Sequence, residues 1–145
     1  MAHSHFPQRL MPFLLIVPAI LIGCNGDTSN RGAIRGAVNL DGQPVELGMI
    51  AFLPIEGTVG VATAAEIKDG QYSLPAAKGP GIGRNRVEIR VARKTGKMIP
   101  KGLSSTGKMV EEQVEAAAPR FNAQSTLTVD VKSGENTADF DVASK

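Results

Sequence analysis

Within the stretch Asn85-Arg86-Val87-Glu88-Ile89-Arg90-Val91-Ala92-Arg93, the run from Arg86 to Val91 alternates charged and apolar side chains without a slip. A period of two belongs to a strand, because one face of a helix repeats about every 3.6 residues. It predicts that Val87, Ile89 and Val91 face a core while Arg86, Glu88 and Arg90 face water. The same pattern recurs along the chain. Ile34, Gly36, Val38 and Leu40 alternate with Arg35, Ala37 and Asn39. Residues 48–54 form a more continuously apolar strand ending at Pro54, and 61–68, 71–75, 125–131 and 137–143 complete a set of about seven. The last two are expected to pair as a hairpin across 132–136. Asp41-Gly42 and Asp69-Gly70 stand between strands as tight turns, since these residue types tolerate positive φ.

Short strands at regular intervals, with no long amphipathic helix among them, predict an all-β fold, an antiparallel β-sandwich. One segment departs from the rhythm. Residues 94–124 are far longer than the usual connection of about 4–6 residues, so they read as a long loop, with a short surface helix over 107–119 as an alternative that ends at Pro119.

The amino-terminal segment is of a different kind. Arg9 and two histidines, His3 and His5, precede Leu10–Gly23, which carries no charge. That is the order of a secretory signal. The apolar run has 14 residues and contains Pro12 and Pro18, short of the roughly 20 residues that a spanning helix needs. It ends in Leu21-Ile22-Gly23-Cys24, which holds the one cysteine of the chain. These four residues resemble the lipobox of bacterial lipoproteins. The resemblance implies cleavage between Gly23 and Cys24, a diacylglycerol on the Cys24 sulfur, and a further acyl chain such as palmitate on the new amine. Two or more acyl chains hold a small domain durably on a bilayer. Asn25, where aspartate would mark inner-membrane retention in many Gram-negative bacteria, points by the same analogy to the outer membrane. The expected organisation is a signal peptide over 1–23, a lipidated tether over 24–32, and a sandwich over 33–145.

A second resemblance covers nearly all of 33–143. Asp41-Gly42-Gln43-Pro44, Gly48-Met49-Ile50-Ala51-Phe52, Asp69-Gly70-Gln71-Tyr72 and Pro80-Gly81 before a Val-x-Ile strand are similar to the small Ig-like, transthyretin-like, carboxypeptidase-regulatory-like domains of bacterial lipoproteins of the planctomycete type. The matched positions are turn glycines and core aliphatics, and none is a catalytic residue. The resemblance therefore implies a fold and an accessory role without naming a reaction.

Several strings resemble chemistry and fail on inspection. Gly102-Leu103-Ser104-Ser105-Thr106-Gly107-Lys108-Met109 approaches a phosphate loop but ends in Met109, where a hydroxyl must reach Mg²⁺. Ser105-Thr106-Gly107-Lys108 and Lys94-Thr95-Gly96 match two signatures of penicillin-binding enzymes, in reversed order and without the third. Gly79-Pro80-Gly81-Ile82-Gly83 precedes a strand where a dinucleotide fingerprint requires a helix, so it reads as a loop into that strand. Removal of 1–23 also removes both histidines. The chain has no tryptophan, and its only thiol is assigned to lipid. Histidine triads, Cys–His pairs and ordinary zinc sites are thereby excluded. Asp139 with Asp141, and Glu111, Glu112 and Glu115, offer carboxylates for a weak Ca²⁺ site but lack the spacing of a calcium loop, and read as solvated acidic faces. Tyr72, the lone tyrosine, is expected to pack as a corner aromatic.

A formal net charge of +2 from 16 basic and 14 acidic residues gives no electrostatic case for nucleic acid. No nucleotide, cofactor or metal is expected. The functional expectation is a lipid-anchored, non-catalytic binding or structural module of the cell envelope, with 94–124 as binding surface for an envelope protein or glycan. The alternatives are a small envelope hydrolase using Ser105 and Lys108 or carboxylates, and a subunit of an envelope assembly.

Overall fold

The computed structural model describes Met1, residues 30–102 and residues 107–144. The signal peptide, Gly23, Cys24, most of the tether and Ser105 lie outside the described residues. Ten strands follow one another: β1 (Gly32–Leu40), β2 (Gln43–Pro44), β3 (Leu47–Pro54), β4 (Thr63–Lys68), β5 (Gln71–Leu74), β6 (Gly83–Pro100), β7 (Met109–Glu115), β8 (Thr128–Val131), β9 (Gly134–Thr137) and β10 (Phe140–Val142). Single 3₁₀ turns occur at Ala76–Lys78 and Pro119–Phe121. The fold is all-β and mainly antiparallel, in agreement with a sandwich.

Both Asp-Gly pairs form the expected turns. Asp41 and Gly42 have φ of 51° and 81°, and Asp69 and Gly70 have 49° and 75°. Two positive φ values in a row give the primed turn whose twist matches that of its flanking strands. The second turn folds the molecule over. β4 and β5 meet only at Lys68↔Gln71; beyond it β5 joins β1, from Ile34↔Leu74 to Ala37↔Gln71, while β4 joins β3 and β3 joins β6. The inward residues of the two layers then meet: Ile34, Val38, Tyr72 and Leu74 on one side, and Ile50, Phe52, Ile67, Val87, Ile89 and Val91 on the other, all buried. The predicted faces of β1 and β6 are those observed. Full burial of one such side chain contributes roughly 1.5–3 kcal/mol relative to leaving it in water, which is why the period of two dictates the layer each strand presents.

Two expectations are corrected. Residues 125–131 and 137–143 do not pair with each other. β8 lies on β6, with Gly83↔Val131 through Arg86↔Thr128, whereas β9 and β10 run parallel to β1, with Gly32↔Gly134 and Val38↔Phe140 among their pairs. Gly36 permits this approach, since a Cβ there would overlap the Ala138 carbonyl. Ala138 N in turn donates to Arg35 O at 3.0 Å.

Nor is 94–124 a long loop with a helix. β6 runs on to Pro100, and residues expected to be helical form β7 against it. In Met109-Val110-Glu111-Glu112-Gln113-Val114-Glu115, Val110 and Val114 are β-branched, and the open edge of β6 satisfies the backbone groups of β7. That pairing outweighs a modest helix preference. Residues 116–127 are irregular apart from the 3₁₀ turn at Pro119–Phe121. They carry Ala116, Ala117 and Phe121 over the core before β8 resumes on β6.

Candidate functional site

β6 changes partners partway along its length. Gly48↔Val91 is its last pair with β3, and Ala92↔Glu115 its first with β7. Beyond Val91, then, β6 and β7 form a two-stranded arm, and among the described residues neither outer edge of it carries a partner strand. A bare two-stranded ribbon is marginal in water, so its local devices matter.

The first device is at its root. Glu115 Oε1 accepts from Val91 N at 2.9 Å and from Ala117 N at 3.0 Å, and Ala116 N donates to Val91 O at 2.9 Å. One carboxylate thus satisfies two donors where the strand changes partners. The second device is a bulge. Lys94 pairs with Gln113 and Met98 with Glu111, so Thr95, Gly96 and Lys97 stand opposite Glu112 alone. Gly96 supplies φ of 78°, and the glutamates fill the irregularity. Thr95 Oγ1 donates to Glu112 Oε2 at 2.9 Å and Gly96 N to Glu111 Oε1 at 3.1 Å. Lys94 and Lys97 pair with Glu111 and Glu112 at 3.7 and 3.6 Å. Exposed ion pairs contribute about 0–1 kcal/mol each, so these act chiefly on register. Past the bulge, Ile99↔Val110 and Pro100↔Met109 carry the arm outward, and Lys101 N donates to Lys108 O at 2.9 Å.

Residues directly opposite in a ladder share a face. Met98, Pro100 and Met109 therefore lie together with Glu111. Met98 is 53% and Met109 47% exposed, unlike the aliphatics of the sandwich half of β6. At the root, Met49 and Val114, both exposed, line a shallow groove of about 460 Å³ with Leu47, Arg90 and Ala92. A second groove of about 530 Å³ lies over β1 and β5, with Arg35, Lys68, Gln71, Ser73, Thr137 and Asp139 in its walls.

The other candidates find structural places. Lys108 is at the arm's tip, with its carbonyl taken by Lys101 N, and Lys94-Thr95-Gly96 builds the bulge. Glu111, Glu112 and Glu115 are the clamps just described, on a strand and not on a helix. Asp139 Oδ1 accepts from Ala37 N at 2.7 Å and Asp141 Oδ1 from Asn39 Nδ2 at 2.8 Å, so both carboxylates stitch the end of the chain to β1. Among the described residues no three His, Cys, Asp or Glu side chains converge as a metal site would require. Residues 79–82 lead into β6, as expected of a loop entering that strand, and are held from below by buried Asn85, whose Nδ2 donates to Gly81 O at 2.9 Å and Gly83 O at 3.0 Å.

Tyr72 is the expected corner aromatic. Its ring lies 5.9 Å from Phe52 and 6.4 Å from Phe140, and its hydroxyl donates to Ala138 O at 2.7 Å. Burial, helped by the charge of Asp139, pushes that hydroxyl's pKa well above the ordinary tyrosine value. Asp41 is held below the usual carboxylate range, chiefly because Ser144 N donates to it at 3.0 Å. Arg84 is raised further by Asp130 and Glu56.

Sequence reasoning missed the exposed methionines, because Met98 within Gly-Lys-Met-Ile-Pro has the same local pattern as a core strand. It also missed the Glu56-Gly57 turn, with φ of 52° and 80°, since glutamate is not a turn signal. Among the described residues, no helix is long and apolar enough to cross a membrane. No protein-family model, curated protein or solved structure matches the chain.

Proposed function

We propose that this chain is a lipoprotein of the cell envelope. Its sandwich is held to a bilayer, the outer membrane by the analogy of Asn25, through acyl chains on Cys24. It serves as a non-catalytic binding or structural module that offers the β6–β7 arm to an envelope protein or glycan. The observation that carries this reading is the arm itself: two strands leave the sandwich, without partner strands on their outer edges among the described residues, and present Met98 and Met109 to solvent. An open strand edge is a liability that chains usually cover or charge, and one flanked by exposed apolar side chains is suited to strand addition or to docking against a partner. The leader and its Leu-Ile-Gly-Cys stretch support the anchor. The turn and strand pattern over 33–143 supports kinship with transthyretin-like lipoprotein domains.

The direction of β6 supports the division of labour. Arg31 bridges Gly81 beside the start of β6, and the arm ends at Pro100. At about 3.3 Å per residue, a strand of 18 residues extends of the order of 50 Å. Arg31 and Pro100 therefore lie toward opposite ends of β6, which suits a reading in which one end is held near the bilayer and the other meets a partner. A photo-crosslinkable residue at Met98 or Met109, irradiated in intact cells, is expected to capture a discrete envelope component. The same residue at Gln71, on the sandwich, is expected not to. Absence of adducts from both arm positions, or equal capture from Gln71, would refute the arm as the binding surface.

A further inference from the structure

The structure assigns a second role to the loop between β3 and β4, residues 55–62: we infer that it is a lipid contact, lying against the bilayer to which Cys24 is attached. The inference rests on the anchor proposed above and adds the surface by which the domain sits on the membrane. The loop's backbone is pinned. Thr58 N donates to Ile55 O at 3.1 Å across the Glu56-Gly57 turn, and Thr58 Oγ1 donates to Arg84 O at 2.8 Å. Its apolar side chains nevertheless point outward: Val59 is 69% and Val61 62% exposed. The stretch Gly57–Ala65 carries no charge. Glu56, at its rim, is held by Arg84 at 3.0 Å. Two valines fixed toward solvent on a braced, uncharged loop suit the boundary between headgroups and acyl chains.

Position supplies the independent observation. Asn30, where the chain leaves the tether, lies on this loop. Its Nδ2 donates to Val59 O at 3.2 Å and its carbonyl accepts from Ile82 N at 3.0 Å. Gly81 packs so closely beneath that a Cβ there would overlap Val59 O. Asn30 lies six steps along the chain from Cys24, a reach of about 20 Å when fully extended. An acylated Cys24 thus keeps this loop within about that distance of lipid, and the bilayer is the surface it meets first. Confinement by the anchor raises the effective concentration, so a contact too weak to bind membranes unaided suffices to orient the domain.

The chain has no tryptophan, so a single one reports cleanly. The full chain carrying Val61→Trp, and separately Met98→Trp on the arm, is purified with its acylation state measured by mass spectrometry. It is then reconstituted into phosphatidylcholine–phosphatidylglycerol vesicles containing acyl-brominated lipid. Emission from Val61→Trp is expected to be quenched, emission from Met98→Trp not, and Val59→Asp is expected to abolish the quenching of Val61→Trp. With Cys24 acylated, equal emission from the two reporters overturns the contact and leaves the anchor standing. Shielding of Val61→Trp only on addition of envelope protein overturns it in favour of a protein occupant. A chain without acyl groups overturns the anchor and the contact together.

Discussion

Replacing Tyr72 by phenylalanine removes one oxygen and leaves the ring. Tyr72 is 3% exposed, packed near Phe52 and Phe140, and its hydroxyl donates to Ala138 O at 2.7 Å. Because the ring survives, burial terms nearly cancel. What remains is one neutral hydrogen bond, worth about 1 kcal/mol net, and a partly buried carbonyl left without it, for a total of about 1–2 kcal/mol. In a domain of this size each kcal/mol moves Tm by roughly 4 °C, so a fall of about 4–8 °C is expected in thermal melts. Phe52→Ala, which empties the neighbouring site, should cost about 3–5 kcal/mol. The same group predicts a pH dependence. Its folded-state pKa lies above the unfolded value of about 10, so the folded chain holds the proton that the unfolded chain releases. The stabilisation is complete below pH ~10 and is lost as pH rises beyond it. With one tyrosine in the chain, near-ultraviolet tyrosinate absorbance follows that site alone, and it should rise only as the sheet signal in circular dichroism is lost. A phenol that titrates near pH 10 in the folded state, or a Tyr72→Phe chain within about 0.3 kcal/mol of the parent, would refute the reasoning.

Three further substitutions test other parts of the structure. Gly36→Ala forces a Cβ into the Ala138 carbonyl; it should destabilise by about 2 kcal/mol or more and speed amide exchange at Ala138 above all. Glu115→Ala removes the acceptor shared by Val91 and Ala117. It should cost about 1–2 kcal/mol in urea unfolding and release those two amides to exchange first, while Glu115→Gln, which keeps an acceptor oxygen, should lose about half as much. Ser105→Ala should leave the purified domain unchanged in screens against ester, peptide and glycan substrates; an activity abolished by it would establish the hydrolase alternative.

How much of this was legible depended on whether the deciding partner was near in the chain. Val87, Ile89 and Val91 announce their face by themselves, and Asp41-Gly42 and Asp69-Gly70 announce their turns, because steric limits on φ act within two residues. The arm was hidden for a physical reason. The alternation of β6 stops at Val91, its last pair with β3, because beyond it both faces of the strand are largely exposed, and the bulge at Thr95, Gly96 and Lys97 then shifts the register. With that partner out of sight, the methionine, glutamates and glutamine of β7 outweighed its two valines and read as helix formers. The end of the chain misled differently: a local hairpin was the economical reading, while β9 and β10 instead pair with β1, about 100 residues earlier in the chain. That pairing turns on the small size of Gly36, which signals nothing until Ala138 is known to lie against it. The exposure of Met98, Met109, Val59 and Val61 was likewise invisible, since a strand or loop residue does not declare which neighbours will fail to cover it.

The most direct measurement is intact-mass and amino-terminal peptide analysis of the protein purified from its native cells. The expected chain begins at Cys24 and carries a diacylglyceryl group on the sulfur and an acyl chain on the amine. A chain that begins elsewhere, or a Cys24 that bears no lipid, would contradict the anchored reading.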